Sequence, residues 1–272
     1  MGRKFTLNHK FTKSLSSNYT KQIDSNFPEE EFRNNKLKII EDMNPGLVKA
    51  ISEKITNTYS PDFLKWLSPT ITYNPAYKWK LNIIDTVTTT ANVSSSNLFK
   101  TKIGFSIKDL IELIYTPENA GKSSSRGRGR GRSSSSSSSK NSKKINIQNP
   151  IVRFVLGKFY FLASKLNKIN STYTYTASNE YNNIGSDKHI SFLYRLGLHE
   201  SPVDMGNIYD NNINSSKSLV GSKSNSYKND LTISSSVSLT RSIVTSLDFK
   251  YSNSLSIPST ASRTKNESLS FY

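Results

Sequence analysis

The feature that most constrains this chain is an alternation of apolar and polar residues with a period of two, sustained over unusually long runs. Residues 71–83 place Ile71, Tyr73, Pro75, Tyr77, Trp79, Leu81 and Ile83 at one parity. Thr72, Asn74, Ala76, Lys78, Lys80 and Asn82 stand at the other. Successive strand side chains point to opposite faces, so this pattern predicts a strand with one apolar and one polar face. Pro75 lacks a ladder donor and predicts an edge or a bulge there.

The pattern recurs along the chain. Phe5, Leu7, His9, Phe11, Leu15 and Tyr19 share a parity, as do Ala91, Val93, Ser95, Phe99, Ile103, Phe105 and Ile107. Further runs are Ile169–Ala177, Ile190–Leu198 (Phe192, Tyr194 and Leu196 inside it), Leu231–Leu239, Ile243–Ile257 (Leu247, Phe249 and Tyr251 inside it), and Leu269 with Phe271. That makes about eight strands. Several runs exceed the ~5–6 residues of ordinary strands and reach the ~9–11 that a tilted membrane-crossing strand needs. Their polar faces are mostly Ser, Thr, Asn and Lys, and aromatic residues gather near run ends. A transmembrane barrel has this profile, with a polar lumen face and interfacial aromatics. A soluble sandwich also alternates, but with shorter strands. The expected fold is therefore mainly β: a long antiparallel meander forming a sector of a large transmembrane β-barrel, with several short amphipathic helices. The expected lipid- or wall-facing residues are Ile71, Tyr73, Tyr77, Trp79, Leu81, Phe192, Tyr194, Leu196, Leu247, Phe249 and Tyr251.

Composition fits thinly spread apolar residues: 34% are hydrophobic and the net charge is +17. Eight of the positive charges fall within residues 122–144, where Arg126, Arg128, Arg130, Arg132, Lys143 and Lys144 stand among Gly and Ser with no acid. Such a tract cannot bury enough apolar surface to order itself. It divides the chain into strands with helical insertions (1–118), a disordered basic linker (119–146), and an amphipathic helix followed by strands (147–272). The linker reads as a solvated insertion. The alternative is a basic surface or polyanion-binding β-protein acting through residues 122–144, by counterion release. Nucleic acid is the disfavoured partner because the tract holds no aromatic residue to stack on bases.

Helical periodicity predicts helices over residues 29–43 and 47–55, a turn of helix over 106–115, and a strongly apolar helix over 147–166 that packs against the sheet or lies in a bilayer interface, packing being favoured. Catalytic chemistry finds no foothold. There is no Cys, the three His are scattered, and no nucleophile elbow or phosphate loop occurs. No enzyme activity, metal or cofactor is expected.

Several ordered segments carry a family resemblance. The segment Tyr59-Ser-Pro-Asp-Phe-Leu-Lys-Trp-Leu-Ser-Pro-Thr-Ile-Thr-Tyr-Asn-Pro-Ala-Tyr-Lys-Trp79 is followed by Asn92 through Leu113, Asn149-Pro-Ile-Val-Arg-Phe, Ile169-Asn-Ser-Thr-Tyr-Thr-Tyr-Thr and Phe192-Leu-Tyr-Arg-Leu-Gly-Leu198. In this order they resemble the SprA/Sov family, the outer-membrane translocon of the type 9 secretion and gliding-motility machinery. The resemblance covers roughly residues 59–272; the Arg-Gly and poly-Ser tract departs from it. It implies a C-terminal fragment of a giant barrel, truncated at 272, at the outer membrane and cell surface. The implied role is protein transport. The implied partners are the remaining barrel strands, a PorV-like shuttle, a periplasmic plug protein, translocating cargo and outer-membrane lipid. An isolated sector would not insert stably, because its strand edges would be unpaired in lipid.

Overall fold

The computed structural model describes residues 2–26, 46–62, 64–83, 89–115, 149–186, 189–203, 221–238, 240, 243–258 and 263–271. Nine strands form one antiparallel meander in simple chain order: β1 (Gly2–Lys10), β2 (Leu15–Asn26), β3 (Leu47–Tyr59), β4 (Leu67–Ile83), β5 (Thr89–Phe105), β6 (Ile169–Gly185), β7 (Ser222–Ser238), β8 (Val244–Ile257) and β9 (Thr264–Phe271). Every neighbouring pair is hydrogen-bonded antiparallel. Among the described residues no ladder joins β1 to β9, so the sheet has two open edges. Strands β4 to β7 each run 17 residues, about 56 Å of extended chain.

Parity is kept across almost the whole sheet, because even residues pair with even and odd with odd: Ser16 with Thr58, Lys54 with Ala76, Ser94 with Glu180, Lys250 with Ser270. The even face is a lawn of Ser, Thr, Asn and Lys, with Leu98 its main apolar interruption. The odd face carries the aromatic and aliphatic residues. One bulge preserves this sorting. Between Ala91 and Val93 the β5–β6 register shifts, and Asn183 takes up the extra residue at φ 55. Asn tolerates that left-handed conformation better than most side chains. Its backbone N–H donates to Asn92 Oδ1 at 3.0 Å. The shift pairs Ile184 with Ala91, and both are fully buried.

Several expectations from the sequence need correction. Residues 47–55 are not a helix but part of β3: Leu47, Ile51 and Ile55 share a strand parity as well as a helical spacing of four, and pairing with both β2 and β4 outweighs the helical reading. Residues 190–198 are not a strand. Ser191 and Pro202 bond to each other, and residues 192–195 wind into a single helical turn. The run from Phe5 to Tyr19 is two strands, turned at residues 11–14, where Thr12 Oγ1 accepts from the N–H groups of Ser14 and Leu15. Pro75 lies on an inner strand, not an edge. The β3–β4 pairing lapses between Lys54↔Ala76 and Asn57↔Tyr73, where its missing N–H falls.

Helices occupy the connections. Helix α1 (Ile107–Ile114) starts from a Ser106 cap whose side chain accepts from the Asp109 N–H. Helix α2 (Pro150–Lys165) is capped by Asn149, with Pro150 in its first turn. α2 packs on α1, where the Tyr160 hydroxyl donates to Glu112 Oε1 at 3.0 Å. It does not lay its apolar stripe on the sheet, contrary to the favoured expectation. α3 is the short turn Phe192–Arg195. The predicted helix over 29–43 lies outside the described residues, as does the whole of the 119–146 linker.

Candidate functional site: a two-faced wall and the strap across it

Residues 189–203 leave β6 and fold back over the odd face of β3 to β6 as a strap. Its centre is Tyr194, fully buried, whose ring meets Tyr77 and Tyr181 edge-on at centroid distances of 6.3 and 6.1 Å. With Ala91, Val93 and Ile184 these form the buried cluster of the molecule. Edge-to-face aromatic pairs add about 0.5–1.5 kcal/mol each to their area burial.

Polar groups of the sheet meet the strap's backbone. Ser95 Oγ donates to the Tyr194 carbonyl, the Tyr73 hydroxyl to the Leu196 carbonyl, and Asn97 Nδ2 to the Gly197 carbonyl. In return the Tyr194 hydroxyl donates to the Asn179 carbonyl at 3.0 Å. Farther along, the Tyr181 hydroxyl donates to the Glu200 carbonyl and Tyr227 to the Glu200 carboxylate. The turn that aims these carbonyls ends in a Schellman motif: Leu198 N–H bonds to Leu193 O and Gly197 N–H to Tyr194 O. Gly197 sits at φ 70, and a Cβ there would stand 2.8 Å from Asn97 Cβ. Both backbone and space therefore require glycine.

One ion pair clamps the strap to β3. Arg195 donates through Nε and Nη2 to Glu53 at 2.8 and 2.6 Å, and Lys21 adds a contact at 3.1 Å from across the β2–β3 ladder. The Glu53 side chain is 8% exposed and that of Arg195 31%. Bidentate geometry favours Arg here over Lys. Burial of Arg195 would disfavour its charge, but the Glu53 carboxylate outweighs that and holds its pKa above the usual value. Burial, with Tyr181 and Tyr77 beside it, pushes the Tyr194 phenol up. A cleft of about 380 Å³ lies beside this clamp, bordered by Trp79, His189 and Ile190.

The predicted wall residues divide. Ile71, Tyr73, Tyr77, Trp79 and Leu81 all stand on the odd face of β4, and Leu247, Phe249 and Tyr251 on the odd face of β8. Tyr73 and Tyr77 are brought to the strap. The β8 group lies four strands away and stays open, with Leu247 66% exposed. Phe192, Tyr194 and Leu196 are strap residues and not strand residues. Phe192 is exposed, while Tyr194 is the anchor. The basic residues Arg126, Arg128, Arg130, Arg132, Lys143 and Lys144 lie outside the described residues. Sequence reasoning missed the Glu53–Arg195 clamp. Its signal was present, since Glu53 is a lone carboxylate between Ile51 and Ile55 on an apolar face.

The described residues hold no group of three or more His, Cys, Asp or Glu placed to share a metal ion. No described helix is long and apolar enough to cross a membrane, which says nothing of strands. Comparison of the chain with family models, curated proteins and solved structures finds no match.

Proposed function

We propose that this chain is a sector of the wall of a transmembrane β-barrel, and that the barrel is an outer-membrane protein-translocation channel of the SprA/Sov kind. The observation that carries the wall reading is the segregation of side chains over nine consecutive strands. A continuous Ser/Thr/Asn/Lys face suits a wet lumen, and an opposite face that gathers the aromatic and large aliphatic residues, broken by Lys21, Glu53, Asn229, Asn253, Lys265 and Glu267, suits lipid along its apolar stretches. Three further features support it. Strands of 17 residues outrun the ~9–11 that cross a bilayer, leaving length for the strap outside the hydrocarbon. Open edges at β1 and β9 suit continuation into further strands.

The third feature is an offset in the apolar face. Exposed Phe5 on β1 lies in register with Tyr77, through Lys21 and Glu53. Exposed Phe271 on β9 lies in register with Pro69, through Phe249, Ile233, Ser171 and Ile103. The difference is about 26 Å along the strands over about 38 Å across them, a slope of about 35°. A level lipid belt around strands tilted ~35–45° produces such an offset.

The channel's identity rests on the order of segments described above. On that reading the lumen conducts polypeptide cargo through a polar lining, without catalytic turnover. The remaining strands of the barrel, a shuttle barrel, a periplasmic plug and outer-membrane lipid complete the assembly. The test exploits the absence of cysteine. Single cysteines are placed from 247 to 252 along β8, in membranes from cells that express the chain together with the remaining strands of its barrel. Cys at 248, 250 and 252 should react with a membrane-impermeant maleimide that reaches the lumen, and Cys at 247, 249 and 251 should not. Equal reactivity at both parities sinks the wall reading.

A further inference from the structure

Helix α2 is turned inside out relative to a helix on a water-soluble protein. Leu156, Gly157, Tyr160 and Ala163 lie on its sheltered side, and Tyr160 bonds to α1. Ile151, Val152, Val155, Phe159 and Leu162 form a stripe along one exposed flank, with Ile151 72%, Phe159 58% and Leu162 63% exposed. Ordinary amphipathic helices bury such a stripe. Beside it runs a row of two lysines two turns apart. Lys158 Nζ lies 5.4 Å from the centroid of the Phe154 ring and Lys165 Nζ 5.6 Å from that of Phe161. Each ammonium thus sits over the face of an exposed aromatic ring four residues before it. The helix contains no acid, and Lys168 follows it. The sequence just before it, residues 122–144, adds eight cations and no acid. α2 also leaves the sheet at the end where Trp66 and Phe105 pair edge-on at 5.7 Å, the kind of aromatic pair found at a bilayer interface.

We propose that α2 is a membrane-surface anchor that takes anionic phospholipid. It lies flat at the interface, with the Ile151–Leu162 stripe at the acyl boundary and Lys158 and Lys165 on lipid phosphates. An apolar stripe rimmed by lysines beside a basic sequence is what such a surface selects. A protein partner would need matching acidic groups inside an apolar groove, whereas an anionic bilayer supplies both along the whole length of the helix. The inference rests on the wall reading only for the presence of a bilayer nearby.

The full chain is labelled at a single cysteine with an environment-sensitive fluorophore and added to phosphatidylcholine vesicles with or without phosphatidylglycerol. Leu162→Cys should be quenched by shallow brominated acyl chains. Ser164→Cys, exposed on the opposite side of the helix, should not. Replacing Lys158 and Lys165 together by Gln should weaken the phosphatidylglycerol-dependent part of binding on the order of thirtyfold. A label at Leu162→Cys that stays in water, or equal quenching at both sites, overturns the anchor. So does indifference to phosphatidylglycerol. A third label, Leu247→Cys on the open sheet face, separates the two ideas. If it is quenched while Leu162→Cys is not, the anchor fails and the wall stands; the reverse supports the anchor alone, because an isolated sector with open edges does not insert, and the wall is read from the β8 cysteines in the assembled barrel.

Discussion

The odd face of the sheet is one chemical surface with two fates. Over β3 to β6 it is roofed by the strap, and Tyr77, Val93, Tyr181 and Ile184 are buried to between 0 and 4% exposure. Over β7 to β9 it lies bare, with Ile233, Leu247, Leu269 and Phe271 between 37 and 66% exposed. Both halves alternate and both are apolar at the odd positions. The difference is in the polar interruptions. The roofed half carries Glu53, Ser95 and Asn97, and each meets a group of the strap. The bare half has polar odd positions too, Asn229, Asn253, Lys265 and Glu267, but they meet one another or neighbouring tyrosines and not the strap. An apolar sheet face that is to receive a polypeptide needs polar sites aimed at that polypeptide's backbone.

Breaking the roof should have the largest effect. Tyr194→Ala removes the buried anchor and should cost about 3–5 kcal/mol. Limited proteolysis should then cut within 189–203 while the β7–β9 ladder keeps its hydrogen-exchange protection. Simultaneous loss of both halves would show that they are one cooperative unit. The bare half is sharpened by its response to charge. Leu247→Arg should cost about 2–4 kcal/mol if the residue sits at the bilayer midplane, against about 0.5 kcal/mol or less on a water-exposed surface. Denaturant titration in lipid and in lipid-free solution reads the two directly.

The clamp comes next. Glu53→Gln leaves Arg195 half-buried without its carboxylate and should weaken the strap by about 1–3 kcal/mol. Exchanging the pair, with Glu53→Arg and Arg195→Glu, should restore part of that, and the β7–β9 half should be indifferent to both variants. Gly197→Ala combines a left-handed backbone with a clash against Asn97 and should cost about 1–2 kcal/mol, read as faster amide exchange in the strap alone.

Alkali gives the mildest and most selective probe. The folded pKa of Tyr194 is raised above the ordinary phenol value of 10.0 by burial. The unfolded phenol therefore ionises first. The strap's stability is full below about pH 10 and falls as the pH climbs above it. Tyr194→Phe should remove part of that loss and leave the part due to Tyr77, Tyr73 and Tyr227, whose phenols also face the strap and are pushed up by burial. A strap whose alkaline release is unchanged in that variant is being released by another group.

Much of the wall was legible because period two is written residue by residue. Every odd-face aromatic of β4 and β8 could be placed from the sequence, and the helices within 106–115 and 147–166 were legible from the three-to-four spacing of their apolar residues. Two places misled. Residues 47–55 suit both a helical and a strand period, and only two flanking ladders settle which one wins. Residues 190–198 alternate as well as any strand, yet Ser191, Gly197 and Pro202 carry a turn, and Tyr194 gains more by filling the space between Tyr77 and Tyr181 than by extending a sheet. The strap's bonding partners are distant in sequence: Ser95 lies 99 residues from Tyr194, and Glu53 lies 142 from Arg195. No local period can report contacts that distant.

The sequence by itself determined which side of most strands is apolar and where the charge concentrates, because these follow from local alternation and composition. Only the tertiary structure decided that one half of the apolar face is roofed by its own chain, that Glu53 and Arg195 meet, and that α2 presents its stripe outward. Each of those depends on register and on which elements the meander brings together, and register is a property of paired strands, absent from any one of them.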